Sequence, residues 1–431
     1  MKLNKAHLLA LPLVMGAIAY GCAKAQDPVV AKQAPQVCTT GSVAFKGSTF
    51  SSVGSEAAGD NVMSVTVGGA CSGYNNEPCV SVTICSPSNP SQCQTINNIL
   101  LDTGSFGLRI FNSLITVPLT PINSGNSSLA ECVQFGGGNS QWGQVKYAYV
   151  QLGSEPKVAV PILAIDPNYN VPPPACSSDQ SVQDVSPAES GYNGILGVGL
   201  FAQDCGDNCV TDSGNGQYFA CTGNNCACGA TADLTAQVRN PVDALPTDNN
   251  GVMLSLPAVG AGGAASVSGS LYLGIATQAN NAVPNGVVAY EADGYGEFLT
   301  KFAGYSSTKL SAFIDSGSNA LYFPPPTNGA LTACPSSYGS DFYCPGSTQS
   351  LSAVIYGSGG SPNSTINFSV ANASTLPTSN FAFSNLAGTS VSGSTVYFDW
   401  GLPFFFGRNV YVGIAGKTSS LNNSGNPYWG L

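Results

Sequence analysis

The chain has 431 residues, of which only 8% are charged, and 13 Lys plus Arg against 23 Asp plus Glu give a formal net charge of −10. The single histidine, His7, falls within an N-terminal export segment. The chain beyond that segment has no histidine, which excludes Ser-His-Asp and Cys-His hydrolases, histidine-held zinc or haem, and imidazole general bases. The acidic balance argues against nucleic acid and anionic membrane surfaces as partners. The 51 Gly, 28 Pro and 43% hydrophobic residues point to an all-β chain of short strands and many turns.

Lys2 and Lys5 precede an apolar run at 8–19, which is too short to span a bilayer and of the right length for a signal-peptide core. Cleavage after Ala23-Lys24-Ala25 gives a leader of residues 1–25. Cleavage before Cys22 in Ala19-Tyr20-Gly21-Cys22, which is similar to a bacterial lipoprotein box, gives a leader of 1–21 and a lipid anchor at Cys22. Either route exports the protein, which is then secreted, periplasmic or lipid-anchored to the cell envelope, and no transmembrane segment is expected.

Residues 26–60 are weakly patterned and read as a surface arm or first strand. A chain this long is expected to split into two lobes. The first is expected at 61–200 and the second at 251–431, joined by a Cys-rich insertion at 201–250. Alternating runs at 61–67, 79–85, 146–152, 252–256, 270–273 and 410–414 predict half-buried strands. No stretch has helical periodicity over three turns.

The chain holds 15 cysteines. Removing or lipidating Cys22 leaves an even number, and export favours disulfides. Cys71 and Cys79 flank a turn-rich insert, as do Cys85 and Cys93, so each pair is expected to close a hairpin loop. Cys205, Cys209, Cys221, Cys226 and Cys228 crowd into one segment, and without histidine they read as disulfides rather than zinc ligands. Asp212-Ser213-Gly214-Asn215-Gly216 lacks the full alternation of a calcium loop and reads as an acidic turn. Neither a metal nor a cofactor is expected.

The chemistry lies in an internal repeat. Ile99-Leu100-Leu101-Asp102-Thr103-Gly104-Ser105 is matched by Ala312-Phe313-Ile314-Asp315-Ser316-Gly317-Ser318, and both copies place Leu six residues after the Asp, at Leu108 and Leu321. Each is followed downstream by a hydrophobic-to-glycine element, Ile195-Leu196-Gly197 and the weaker Trp400-Gly401. A buried strand thus delivers an Asp into a tight turn, the Gly admits close backbone approach, and hydroxyls hold the carboxylate. Two such turns related by a pseudo-twofold axis put two carboxyls side by side. Both cannot ionise cheaply, so they share a proton. One can then deprotonate a water while the other protonates a carbonyl oxygen, which is acid-base hydrolysis without histidine.

These residues resemble the pepsin-like aspartic protease family, over about 61–416. The resemblance implies a bilobal all-β fold with a cleft between the lobes and catalytic Asp102 and Asp315. It further implies dyad support from Thr103, Gly104, Ser105, Ser316, Gly317 and Ser318. Thr103 and Ser316 match positions whose hydroxyls bond across the dyad, and Ser105 and Ser318 match those that bond the outer carboxylate oxygens. Residues 134–153 resemble the substrate-covering flap, with Phe135 where the family usually has Tyr, and with Gly136 and Gly137 giving the tip its mobility. Pro403 stands where the family usually has an acidic residue, and no basic prosegment is visible.

The expected function is an exported endopeptidase, acting as a monomer on polypeptide substrates. The alternative is a catalytically weak or inactive pepsin-fold binding or inhibitor protein of the cell envelope. A surface β adhesin is a third reading, and it places Asp102 and Asp315 far apart. The scarcity of Lys and Arg adds an expectation of work at acidic pH, because few cations repel one another when carboxylates protonate.

Overall fold

A computed structural model describes residues 43–48, 60–176, 182–339, 341–390 and 396–431. The leader, Cys22 and most of the 26–60 arm lie outside the described residues; the arm's Val43–Phe45 forms a strand parallel to Asn225–Ala232. The protein is all-β, with strands gathered into one hydrogen-bonded sheet of 19 strands and another of 7. Among the described residues the longest α-helix, Asp207–Thr211, has 5 residues.

The run at 61–67 folds as a period-two pattern requires, whereas the runs at 146–152, 252–256 and 410–414, expected to be half-buried, are buried on both faces because further strands and core cover them. In Val62–Gly68, Met63, Val65 and Val67 point into the core while Ser64 faces solvent. Pro78–Ser86 lies against Val62–Gly68, Asn89–Asp102 and Asn139–Leu152, all antiparallel. Val158–Ile165 is apolar almost throughout because it is covered on both faces, pairing antiparallel with Asn139–Leu152 and parallel with Phe106–Phe111.

The larger sheet draws on both halves of the chain. Ser266–Leu273 pairs with Val62–Gly68, Gly251–Leu256 joins it to Arg408–Gly413, and Tyr428–Gly430 completes this run. The smaller sheet is built from Phe298–Lys301, Leu310–Asp315, Leu321–Tyr322, Gln349–Tyr356, Asn363–Val370, Ala387–Gly388 and Phe398–Gly401. A single apolar cluster runs through both sheets and includes Leu101, Ile314, Trp400 and Val412. Behind the second Asp strand, Phe323 stacks on Phe398 at 5.1 Å and Phe398 on Trp400 at 4.3 Å between ring centroids. Such aromatic pairs add stabilisation beyond their buried area.

Six disulfides are present among the described residues. Cys71–Cys79 and Cys85–Cys93 close the two expected loops, each with a sequence separation of 8. Cys205–Cys209 and Cys221–Cys226 put the Cys-rich segment in disulfides. Cys132–Cys176 and Cys334–Cys344 are additional staples. This disulfide content fits an oxidising, non-cytoplasmic destination. No helix among the described residues is long and apolar enough to cross a membrane.

Candidate active site

The two Asp turns are built identically from strands. Asn89–Asp102 runs parallel to Gly194–Val198 with Asp102 opposite Gly197, and Phe106–Phe111 returns antiparallel to that same strand. In the second copy, Leu310–Asp315 runs parallel to Phe398–Gly401 with Asp315 opposite Gly401, and Leu321–Tyr322 returns antiparallel to it. In each copy, the strand from further along the chain is threaded between the strand entering the turn and the strand leaving it. The glycine opposite the Asp is what admits this close approach: a Cβ on Gly197 would stand 2.6 Å from the Phe106 amide nitrogen. The downstream glycine elements picked out in the sequence are these threaded strands, including the weaker Trp400-Gly401.

The turns meet face to face. A Cβ on Gly104 would lie 2.6 Å from Asp315 Cγ, and one on Gly317 would lie 2.8 Å from Asp102 Cγ. Glycine at both positions is therefore a steric condition for the carboxyls to approach. Each turn holds its carboxylate in the same way, with the Gly104 and Gly317 amides donating to Asp102 Oδ1 and Asp315 Oδ1 at 2.7 Å. Ser105 Oγ donates to Asp102 Oδ2, and Ser318 Oγ donates to Asp315 Oδ2 at 2.8 Å. The juxtaposition of Asp102 and Asp315 removes the adhesin reading.

A ring of four hydrogen bonds ties one turn to the other. Thr103 Oγ1 donates to the Ile314 carbonyl at 2.9 Å and accepts from the Ser316 amide at 2.9 Å. Reciprocally, Ser316 Oγ donates to the Leu101 carbonyl at 2.7 Å and accepts from the Thr103 amide at 3.1 Å. Thr103 is 1% exposed and Ser316 0%, so water does not compete for these bonds. Burial, then the Asp102 and Asp399 charges, push the Asp315 carboxyl well above the ordinary carboxylate range, against the opposing pull of the Ser318 hydroxyl.

Residues 134–153 hold the tip and the second strand, Asn139–Leu152, of a hairpin whose first strand, Ser127–Gln134, lies almost wholly before them. Its tip is closed by Phe135 N–H donating to Asn139 O and Gly138 N–H donating to Phe135 O, each at 2.9 Å. Gly138 has φ +84°, which favours glycine, and added Cβ atoms on Gly136 or Gly138 would meet nothing within 4 Å. The tip is thus open around its glycines. Phe135 is part-buried against an apolar cluster containing Leu100, Phe111, Tyr192 and Ile195, and the Arg109 guanidinium stands 6.0 Å from its ring centroid. Leu100 and Ile195 belong to the strands that carry and back the first Asp, so the hairpin tip and the Asp turn share one apolar wall.

Two residues near the dyad escaped the sequence reading. Tyr74 lies in the Cys71–Cys79 loop, its hydroxyl held well above its ordinary range first by burial and then by the charges of Glu77, Asp102 and Asp315. The same loop is pinned to the smaller-sheet side by Asn76, whose side chain donates to the Asn319 and Phe383 carbonyls and accepts from the Phe383 amide. Asp399 is the other, 3% exposed and one residue before Trp400-Gly401. Its sequence signal was a carboxylate in an otherwise apolar element. Pro403, at the position where the resemblance implies an acidic residue, is buried in the 3-10 turn Leu402–Phe404. Among the described residues no group of three or more His, Cys, Asp or Glu side chains is arranged to hold a metal ion.

No curated protein matches the sequence. A family model described as a protein of unknown function (DUF3443) matches residues 57–430, which takes in every strand named above except Val43–Phe45. The chain, with both of its facing Asp turns inside the matched region, belongs to that family.

Proposed function

We propose that this protein is an exported aspartic endopeptidase of bilobal, pepsin-like architecture, hydrolysing peptide bonds with a water activated between Asp102 and Asp315. The observation that carries this reading is the reciprocal approach of the two Asp turns, each carboxyl resting on the other turn's glycine. Two carboxyls so close share a proton. The field of Asp102 and Asp399 favours Asp315 as the member that keeps it. The ionised partner takes a proton from the water as its oxygen attacks the peptide carbonyl carbon, and the protonated carboxyl gives its proton to the carbonyl oxygen. Collapse of the resulting diol, with a proton delivered to the amide nitrogen, breaks the C–N bond.

The ring through Thr103 and Ser316 holds the two carboxyls in register, which is worth more to catalysis than to binding because the reacting atoms must meet within a few tenths of an ångström. An extended polypeptide passing under the hairpin tip would meet the part-buried Phe135 as its aromatic contact, which favours an apolar side chain there. Secretion, a periplasmic location or a lipid anchor at Cys22 are each compatible with this chemistry, and a monomer suffices for it.

One observation favours the binding or inhibitor reading: Phe135 brings no hydroxyl to the hairpin tip. A single experiment separates the two. Wild type, Asp102→Asn and Asp315→Asn are incubated with an unfolded protein between about pH 3 and pH 7, with and without pepstatin. Cleavage by wild type that either substitution abolishes and pepstatin blocks is the expected result. Equal cleavage by all three sinks the endopeptidase reading, and no cleavage with no pepstatin binding hands the site to a binding role.

A further inference from the structure

Asp399 sits where the first copy of the repeat has an apolar residue. It lies two positions before Gly401, which pairs with Asp315; the counterpart two positions before Gly197 is Ile195, 2% exposed. Residues two apart on a strand share a face, so Asp399 lies on the Gly401 side of its strand, toward the second Asp. Its strand neighbours Phe398 and Trp400 are fully buried. Its Oδ1 has no hydrogen-bond partner, and no Lys or Arg forms an ion pair with it among the described residues. A carboxyl buried at this depth, with one oxygen unsatisfied and no cation beside it, costs several kcal/mol that an isoleucine would not. Packing therefore gives no reason for the acid.

The dyad gives one. Ser318 donates its hydroxyl to Asp315 Oδ2 at 2.8 Å, and its carbonyl accepts from the Leu402 amide at 2.7 Å, which ties the second Asp turn to the strand end that carries Asp399. We propose that Asp399 is a positioning residue for the dyad: a third buried carboxyl on the Asp315 side of its strand that, once ionised, holds the dyad's proton against loss as pH rises.

The direction of this effect is set by the groups around Asp399. Burial and the Asp102 charge hold the Asp399 carboxyl well above the ordinary carboxylate range, with Ser318 pulling the other way. Among the described residues, Tyr322 and Tyr397 also lie in its field, both held above their usual range chiefly by burial. Tyr322 also faces Asp399 through backbone pairing. Asp102 thus opposes ionisation of Asp399, and ionised Asp399 opposes ionisation of Asp315. A negative charge beside an acid favours the acid's protonated form. The singly protonated dyad then persists to higher pH than Asp102 and Asp315 would reach alone. The first turn carries the apolar Ile195 at the matching position, which makes the surroundings of the two Asp residues unequal.

The kinetic arm of the test rests on the endopeptidase reading, and the spectroscopic arm does not. Asp399→Asn keeps the shape and removes the charge; Asp399→Ile copies the first turn and keeps the fold testable should the amide prove destabilising. In both variants the alkaline limb of the kcat/KM profile is expected to move to lower pH by about one unit. The infrared carbonyl band of the protonated carboxyl assigned to Asp315, by its loss in Asp315→Asn, is expected to titrate at correspondingly lower pH. If the band shifts while wild type cleaves nothing, the role of Asp399 stands and the endopeptidase reading falls. If wild type cleaves through its dyad and neither limb nor band moves in either variant, the role of Asp399 is overturned.

Discussion

Replacing Thr103 with Val tests whether the ring of hydrogen bonds joins the two turns energetically. Valine keeps the shape of threonine and deletes only the hydroxyl, which donates to Ile314 O and accepts from Ser316 N, both at 2.9 Å. Ile314 is 1% exposed and Ser316 0%, so both backbone groups are left buried without water to replace the lost partner. Each orphaned group costs about 1–3 kcal/mol, which puts the loss at about 2–6 kcal/mol. Thr103→Ser keeps the hydroxyl and loses one methyl, worth about 1 kcal/mol. Urea denaturation of wild type and both variants, extrapolated linearly to water, reads these values directly. Ser316→Ala removes the reciprocal pair of bonds, to Leu101 O and from Thr103 N. Because all four bonds form one ring, the double variant should lose less than the sum of the single losses. Cleavage by Thr103→Val, at a temperature where it remains folded, should fall by about a hundredfold through misplacement of the carboxyls. A Thr103→Val protein within about 0.5 kcal/mol of Thr103→Ser would refute the reasoning, because the hydroxyl would then carry no net load between the turns.

Two further predictions concern buried charge. Glu77 is fully buried and its Oε2 accepts from the Gly73 and Tyr74 amides; burial nevertheless pushes its carboxyl from 4.5 up to about 7. The folded state then keeps a proton that the unfolded state has lost, so stability falls as pH rises between those two values. Glu77→Gln should flatten this slope by up to about 3 kcal/mol in denaturation curves at pH 4.5 and pH 7.5, and an unchanged slope would show that Glu77 ionises freely. Arg109 is 1% exposed and bridges Glu131 at 3.1 Å and Asp204 at 2.9 Å. Arg109→Met strands two buried acids and should cost about 3–5 kcal/mol, whereas adding Glu131→Gln and Asp204→Asn should return much of it. No recovery in the triple variant would mean that the guanidinium acts through packing rather than charge.

The parts of this molecule that were legible in the sequence are those governed by local rules. The strand of Val62–Gly68 announced itself by alternation, and the two disulfide loops by turn-forming inserts between cysteines. The Asp turns were legible because a carboxylate at a tight turn needs a glycine and hydroxyls at set offsets, and the need arises twice. What escaped depends on contacts distant in sequence. Nothing local says that Ser266–Leu273 pairs with Val62–Gly68, or that Cys132 meets Cys176 across a sequence separation of 44. Tyr74 escaped because its relation to the dyad is made by Asn76 bridging to Phe383, across a sequence separation of 307. Asp399 escaped for a different reason: the resemblance implies an acid after the glycine of the threaded strand, and this one lies before it. Pairing register, with Asp315 opposite Gly401, is what reveals that a residue two positions earlier faces the same side.

The poverty of charge takes on a definite meaning once the burial of each acid is known. Ordinary acid denaturation follows from carboxylates paired with cations in the native state, which must be protonated at a loss of stability. Here cations are too few for that pattern to dominate: the ion pairs among the described residues are confined to Arg109 with Glu131 and Asp204, and to Arg239 and Lys417 with Asp243. Glu77, Glu155, Asp315 and Asp399 are instead held above their ordinary range, in each case first by burial. For Glu77 and Glu155, pushed up to about 7, the gain from protonation is made as pH falls through the range between that value and 4.5. Asp204 in the Arg109 cluster is likewise drawn upward by burial and then by Glu131, and the opposing loss falls on Glu291, whose carboxyl is held below its ordinary range by hydrogen bonds from Ser424 and Asn426. Mild acid should therefore tighten most of this fold, with loss setting in only as pH falls through the lowered range of Glu291. The same absence of cations keeps a proton on the dyad, because among the described residues no positive charge is paired with Asp102, Asp315 or Asp399 to draw it off.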